Sequence, residues 1–189
     1  MFSTPSFLAT RLTSKGFLIL NLLDNFFGRA PSQMDAGPPA YVAPLERMDY
    51  SAALPLLRHA IRNEDPHAMG LLAAMTALGR GVEKSPEDAC AWFRQAANRG
   101  HVPSQAALGM CLISGVGTPS NPREAAYWLY RAGTAGNVPA IEALGALAYR
   151  DHTVVGPYFS EEDLCALVVS ARKRRSRTSA TPAGPSALQ

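Results

Sequence analysis

The apolar and polar positions of this chain recur with a period of 36 residues. At that offset Ala53, Ala89 and Ala125 align, as do Leu56, Trp92 and Trp128, then Ala60, Ala96 and Ala132, then Leu72, Leu108 and Leu144. Gly79 and Gly81 fall on Gly115 and Gly117, Gly100 on Gly136, and Val102-Pro103 on Val138-Pro139. A fixed period of about 20 to 50 residues is the signature of a repeat array, in which each unit buries its apolar face against its neighbours. The Trp, Gly and Pro coincidences do not depend on the abundance of alanine.

Each period predicts two antiparallel helices. Ser85 is placed to cap the first, Pro86 suits its first helical position, and Asp88 stands where a capping-box acid belongs; Asn121, Pro122 and Glu124 repeat the arrangement. Ala89, Trp92, Phe93, Ala96 and Ala97 then form one stripe at spacings of three and four, with both tryptophans expected as core residues. Gly100 and Gly136 end the first helix in the left-handed conformation, Pro103 and Pro139 start the second, and a Gly-x-Gly turn closes it. Small residues at 89, 96, 97, 107 and 109 let neighbouring backbones approach.

The units are expected at 49–84, 85–120 and 121–157, followed by a capping helix at 158–174 that carries Leu164 and Val168 in register with Trp128 and Ala132. In the first unit Leu56 stands for the tryptophan and Glu64 for the turn glycine, and Asp65-Pro66 shortens the turn. Residues 34–48 read as a linker, and 175–189 as a disordered basic and polar tail. Residues 1–33 hold five of the seven phenylalanines, with Arg11 and Lys15 preceding any acid. Three readings stay open for them: a signal peptide, interrupted at Asn21 and Asp24; an amphipathic helix with Ile19, Leu22, Leu23, Phe26 and Phe27 on one face; or a weakly ordered extension, with translation starting at Met34.

Composition narrows the class. The chain has 189 residues, 47% of them hydrophobic and only 17% charged, which suits a packed helical array better than a disordered chain or a charge-rich coiled coil. The net charge of +3 hardly touches the repeats: residues 41–151 carry ten basic and ten acidic residues, while 152–189 carry five against three. A nucleic-acid-binding domain carries its basic face across the body, so that class is disfavoured. No run reaches the roughly 18 apolar residues of a membrane span. Cytoplasmic and exported locations both fit, and the array is expected to be monomeric.

The strings ACAWFRQAANRG…ALGMCLISGVG and AAYWLYRAGTAG…EALGALAYRD resemble the Sel1-like repeat family, relatives of the tetratricopeptide repeats. The match covers about residues 49 to 150, with a partial unit to 174. Gly133 replaces the second Ala of the pattern, Thr118 the turn Val, and Asp151-His152-Thr153 the third Gly-x-Gly. The resemblance implies an all-α, right-handed solenoid acting as a non-enzymatic adaptor for a protein partner. It implies no cofactor.

The candidate binding surface is a ladder on the solvent side of the first helices. Arg58, Arg94 and Tyr130 align at the 36-residue offset, as do His59, Gln95 and Arg131, and Tyr127 lies one turn before Arg131. Stacked units present these as adjacent rungs, and Arg and Tyr are the types that anchor interfaces; an ordinary solvated helix face is the plainer alternative. Arg172, Lys173, Arg174, Arg175 and Arg177 form the one strong charge block, a candidate for anionic membrane, nucleic acid or an acidic protein, or simply cations complementing a helix end. Residues 1–30 offer a peripheral membrane contact.

Cys90 and Cys111 lie level across the hairpin, within reach of a bridge such as family members use in oxidising compartments; two buried free thiols are the simpler reading, with Cys165 a third. A metal site from Cys90, His101 and Cys111 fits no ligand spacing, so His101 is expected to be a solvated turn histidine. Ser170 and Lys173 match a Ser-x-x-Lys string but lack its partner motifs, and no catalytic residues are assigned.

Overall fold

The computed structural model describes residues 38–155, 160, 162–163 and 165–169. The described residues are helical with no strand. Helix α1 spans Val42–Glu46, α2 Tyr50–Arg62, α3 Pro66–Leu78, α4 Pro86–Asn98, α5 Val102–Ser114, α6 Pro122–Thr134, α7 Val138–Arg150 and α8 His152–Val155. Helices α2 to α7 have 13 residues each, and their starts and ends repeat at the 36-residue offset. Residues 162–163 and 165–169 are helical within the region expected to cap the array.

Local chemistry accounts for the boundaries. The Ser85 hydroxyl accepts from the Asp88 backbone N–H at 3.2 Å and the Asn121 side chain from that of Glu124 at 3.2 Å, each meeting a donor that the first turn leaves without a helical partner. Asp65 and Asn137 do the same for α3 and α7. The turn between paired helices needs a left-handed residue, and Glu64 occupies it with φ 60° where Gly100 and Gly136 have φ 86° and 92°. At residue 151, which lacks the glycine turn, Asp151 ends α7 in extended geometry and its carboxylate accepts from the N–H and hydroxyl of Thr153, starting α8.

Helices pack chiefly on their neighbours in the chain, as a solenoid requires. The most extensive contacts join α3 to α4 and α5 to α6, the second helix of one pair and the first of the next. Helices α3 and α5 are therefore covered on both sides: residues 68 to 76 of α3 are buried without a break, and so are 104 to 109 of α5. First helices remain amphipathic, with Ala89, Cys90, Phe93, Ala96 and Ala97 turned inward on α4. Close approach depends on the small residues: a Cβ on Gly109 would lie 2.7 Å from Leu129.

The stretch expected as a linker behaves differently in its described part. Tyr41 and Leu45, one helical turn apart, are buried, and α1 packs on α2. The first pair has no preceding unit to cover it, so this segment supplies that cover. The tyrosine hydroxyl donates to Asp65 at 2.7 Å and lies 3.2 Å from His67 Nδ1, fixing α1 to the start of α3.

Candidate functional site

The first helices α2, α4 and α6 carry the ladder residues at equivalent positions, but their surroundings differ from rung to rung. Arg58, His59, Gln95, Tyr127 and Arg131 are exposed, whereas Arg94 and Tyr130 are half-buried. Tyr130 packs against the core. Tyr127 and Arg131 form a unit on α6: the Arg131 guanidinium donates to the Tyr127 hydroxyl at 3.4 Å and sits 5.8 Å over that ring and 5.5 Å over the ring of Trp128. Such stacking presents a cation and an aromatic edge together, the pairing that protein interfaces favour.

The Arg94 rung is closed by a neighbour. Its guanidinium forms an ion pair with Glu124 on α6, and the same carboxylate oxygen accepts from the Trp128 indole N–H at 3.3 Å. One carboxylate thus ties α4 to α6 and orders Trp128. At the preceding junction the equivalent residues are Arg58, Asp88 and Trp92. No hydrogen bond or ion pair joins those three side chains among the described residues; they line a groove of about 470 Å³ together with Arg62, Val82 and Glu83. Leu72 and Thr76 of α3 contribute to the same wall. A second groove of about 420 Å³ is lined by Arg94, Gln95, Cys90 and Thr118 among others.

The expectation that both tryptophans are core residues needs correction. Trp128 is 6% exposed, but Trp92 is only half-buried, and their counterpart Leu56 is 36% exposed. Tyr127 packs edge-on against Trp128 at 5.2 Å and Arg131 covers its face, while the corresponding neighbours of Trp92 are Ala91 and Gln95. A methyl group and a polar side chain leave the indole open.

His101 also departs from expectation. It is buried, with its Nδ1 2.7 Å from the Ser104 hydroxyl and its ring 5.4 Å from that of His67, edge to face. Burial, and then His67 beside it, push its pKa down to about 4, against the opposing pull of Asp65; burial likewise lowers His67. Both rings are neutral at pH 7. The sequence signal for this burial is Gly70, where a Cβ would lie 2.7 Å from the His101 ring. Tyr41, Asp65, His67, His101 and Ser104 form a polar cluster under α1, and no set of three or more His, Cys, Asp or Glu suited to a metal ion occurs among the described residues.

Cys90 and Cys111 are free thiols within hydrogen-bonding reach of each other. The Cys90 thiol donates to the Val116 carbonyl at 3.1 Å, and its contact with Cys111 pushes the Cys111 thiol upward. Cys165, expected to be buried, is exposed. The basic run 172–177, Ser170, the tail 175–189 and the amino-terminal residues 1–33 lie outside the described residues. No helix among the described residues is long and apolar enough to cross a membrane.

The Sel1 repeat model matches residues 66–101 and 102–137. Its frame starts at α3 and α5, so it groups the same helices with the same period but begins half a unit later than the pairs read from the sequence. A crystal structure of a Sel1 repeat protein from Oxalobacter formigenes is 27% identical, covers 58% of this chain and 45% of that one, and superposes with a TM-score of 0.56. The crystal structure of c5321, a protective antigen present in uropathogenic Escherichia coli strains and displaying an SLR fold, is 16% identical over 93% of this chain and 38% of its own, with a TM-score of 0.46. The chain spans less than half the length of either structure. No curated protein matches it.

Proposed function

We propose that this chain, in which residues 66–137 match two Sel1 repeats, is a monomeric, non-enzymatic adaptor that binds a protein partner along the faces of α2, α4 and α6. Sel1 repeat proteins are generally protein-interaction scaffolds and typically lack enzymatic activity. The observation that supports the reading is the register itself: 13-residue helices that recur at the 36-residue offset carry Arg58, Gln95 and the Tyr127–Arg131 pair at exposed positions of α2, α4 and α6. Interface anchors are few and clustered, enriched in Arg and Tyr, which matches this arrangement.

The test uses the exposed rungs, because Tyr130 packs against the core and Arg94 is engaged by Glu124. The intact protein and an Arg58→Ala, Tyr127→Ala, Arg131→Ala triple variant, shown by circular dichroism to be folded, are used for affinity capture with quantitative mass spectrometry. The adaptor reading expects one or more proteins lost selectively by the variant. Unchanged capture by the variant, with loss on deletion of 172–189 instead, refutes it in favour of electrostatic binding through the basic run. Sedimentation equilibrium checks the monomer.

A further inference from the structure

The two junctions between first helices carry the same three positions but only one of them is filled. At the junction of α4 with α6 the Glu124 carboxylate receives the Arg94 guanidinium and the Trp128 indole N–H. At the junction of α2 with α4 the guanidinium of Arg58 and the indole of Trp92 stand at the same offsets, but the acid is Asp88. Aspartate is one methylene shorter, about 1.5 Å of reach, and at this junction an open groove of about 470 Å³ stands in place of a closed pair. The indole N–H of Trp92 has no acceptor among the described residues. Since no buried side-chain polar atom there lacks a partner, that N–H faces solvent.

We propose that this groove receives an aspartate or glutamate side chain of a partner peptide, which takes between Arg58 and Trp92 the place that Glu124 holds between Arg94 and Trp128. The inference rests on the adaptor reading and names the chemistry of the partner. The repeated geometry supports it: Arg58 and the Trp92 indole stand at the offsets of the pair that holds Glu124, Arg62 adds a second guanidinium from α2, and charge-assisted bonds to a carboxylate are the strong ones. Ile61, Leu72 and Val82 line the same groove, so the acid is flanked by aliphatic residues in the partner. Asp88 and Glu83 also line it and oppose a carboxylate, which makes Asp88 a tuning position.

The experiment follows the two indole N–H resonances of the 15N-labelled full chain, assigned with a Trp92→Phe variant. The probe is the capped peptide Ala-Leu-Glu-Leu-Ala, with Ala-Leu-Gln-Leu-Ala as its uncharged control. The Trp92 resonance should move while that of Trp128 stays, and the Glu peptide should bind about tenfold tighter than the Gln peptide. Arg58→Ala should abolish the difference and Asp88→Asn should enlarge it. Asp88→Glu, which rebuilds the internal acid, should shift the Trp92 resonance without any peptide and weaken the Glu peptide.

Equal affinity for the two peptides, an unaffected Arg58→Ala variant, or no movement of Trp92 up to about 10 mM peptide each overturns the inference. If the peptide fails while the triple variant still loses its cellular partner, the surface binds by other chemistry and only the carboxylate receptor is lost. If the peptide behaves as expected while capture is unchanged, the receptor stands and the adaptor role on this surface falls.

Discussion

Replacing His101 by asparagine should remove most of the acid sensitivity that the cluster under α1 imposes on folding. His101 is buried against His67 and Ser104, with its pKa held at about 4 instead of the ordinary 6.5. Because the folded value is the lower one, the unfolded chain binds the extra proton. Folding therefore carries no penalty from this group above pH 6.5 and loses stability as the pH falls toward 4, where the loss levels off. Between about pH 7.5 and about pH 4.5 the single-site linkage amounts to about 2.5 kcal/mol, a large share of a small domain's stability. Asparagine is the residue that the next unit uses at this position, where Asn137 accepts from the Ala140 N–H at 3.0 Å. It thus supplies a helix cap in place of the imidazole contact, and stability near neutral pH should change by only about 1 kcal/mol. The assay is urea unfolding followed by far-UV circular dichroism across that pH range for both proteins. Carboxylate protonation affects both alike, so the difference between them isolates His101. A wild-type minus variant difference that stays constant with pH would refute the burial argument, and a difference growing toward acid in the opposite sense would reverse its sign.

Three further outcomes follow from the packing. Trp128→Ala should cost about 3 to 5 kcal/mol, whereas Trp92→Ala, half-open to the groove, should cost about 1 to 2 kcal/mol in the same denaturation assay. Glu64→Gly should stabilise the chain by about 1 kcal/mol, since relief of the left-handed backbone at φ 60° outweighs loss of the exposed 3.2 Å pair with Arg99; a drop in the urea midpoint counts against this balance. Under native conditions a thiol reagent followed by mass spectrometry should label exposed Cys165 fast and buried Cys90 slowest, and rapid labelling of Cys90 would contradict the packing of α4.

Much of the array was legible because its signals are local. A capping serine or asparagine, a proline just inside the helix and a left-handed turn residue act within a few positions, so Ser85, Asn121, Gly100 and Gly136 announced the helix ends. The same register aligned the ladder residues in advance. It did not reveal that Arg94 is engaged by Glu124 and that Arg58 faces a groove, because that difference is one methylene measured across two helices. Residues 34–48 read as a linker for a related reason: the five helical residues of α1 carry too short a period, and Tyr41 is buried through contacts with Asp65 and His67, 24 and 26 positions away.

By itself, then, the order of amino acids determined the boundaries of α2 to α7, the 36-residue pairing and which faces are apolar, since each depends on hydrogen bonds and side-chain periodicity inside one segment. Tertiary structure alone decided which of two equivalent tryptophans is sealed, which arginine keeps its charge available, and that a turn histidine is neutral beneath α1. Those properties depend on what a neighbouring helix brings within about 3 to 5 Å of a side chain, and the repeat pattern treats as equivalent positions whose neighbours differ.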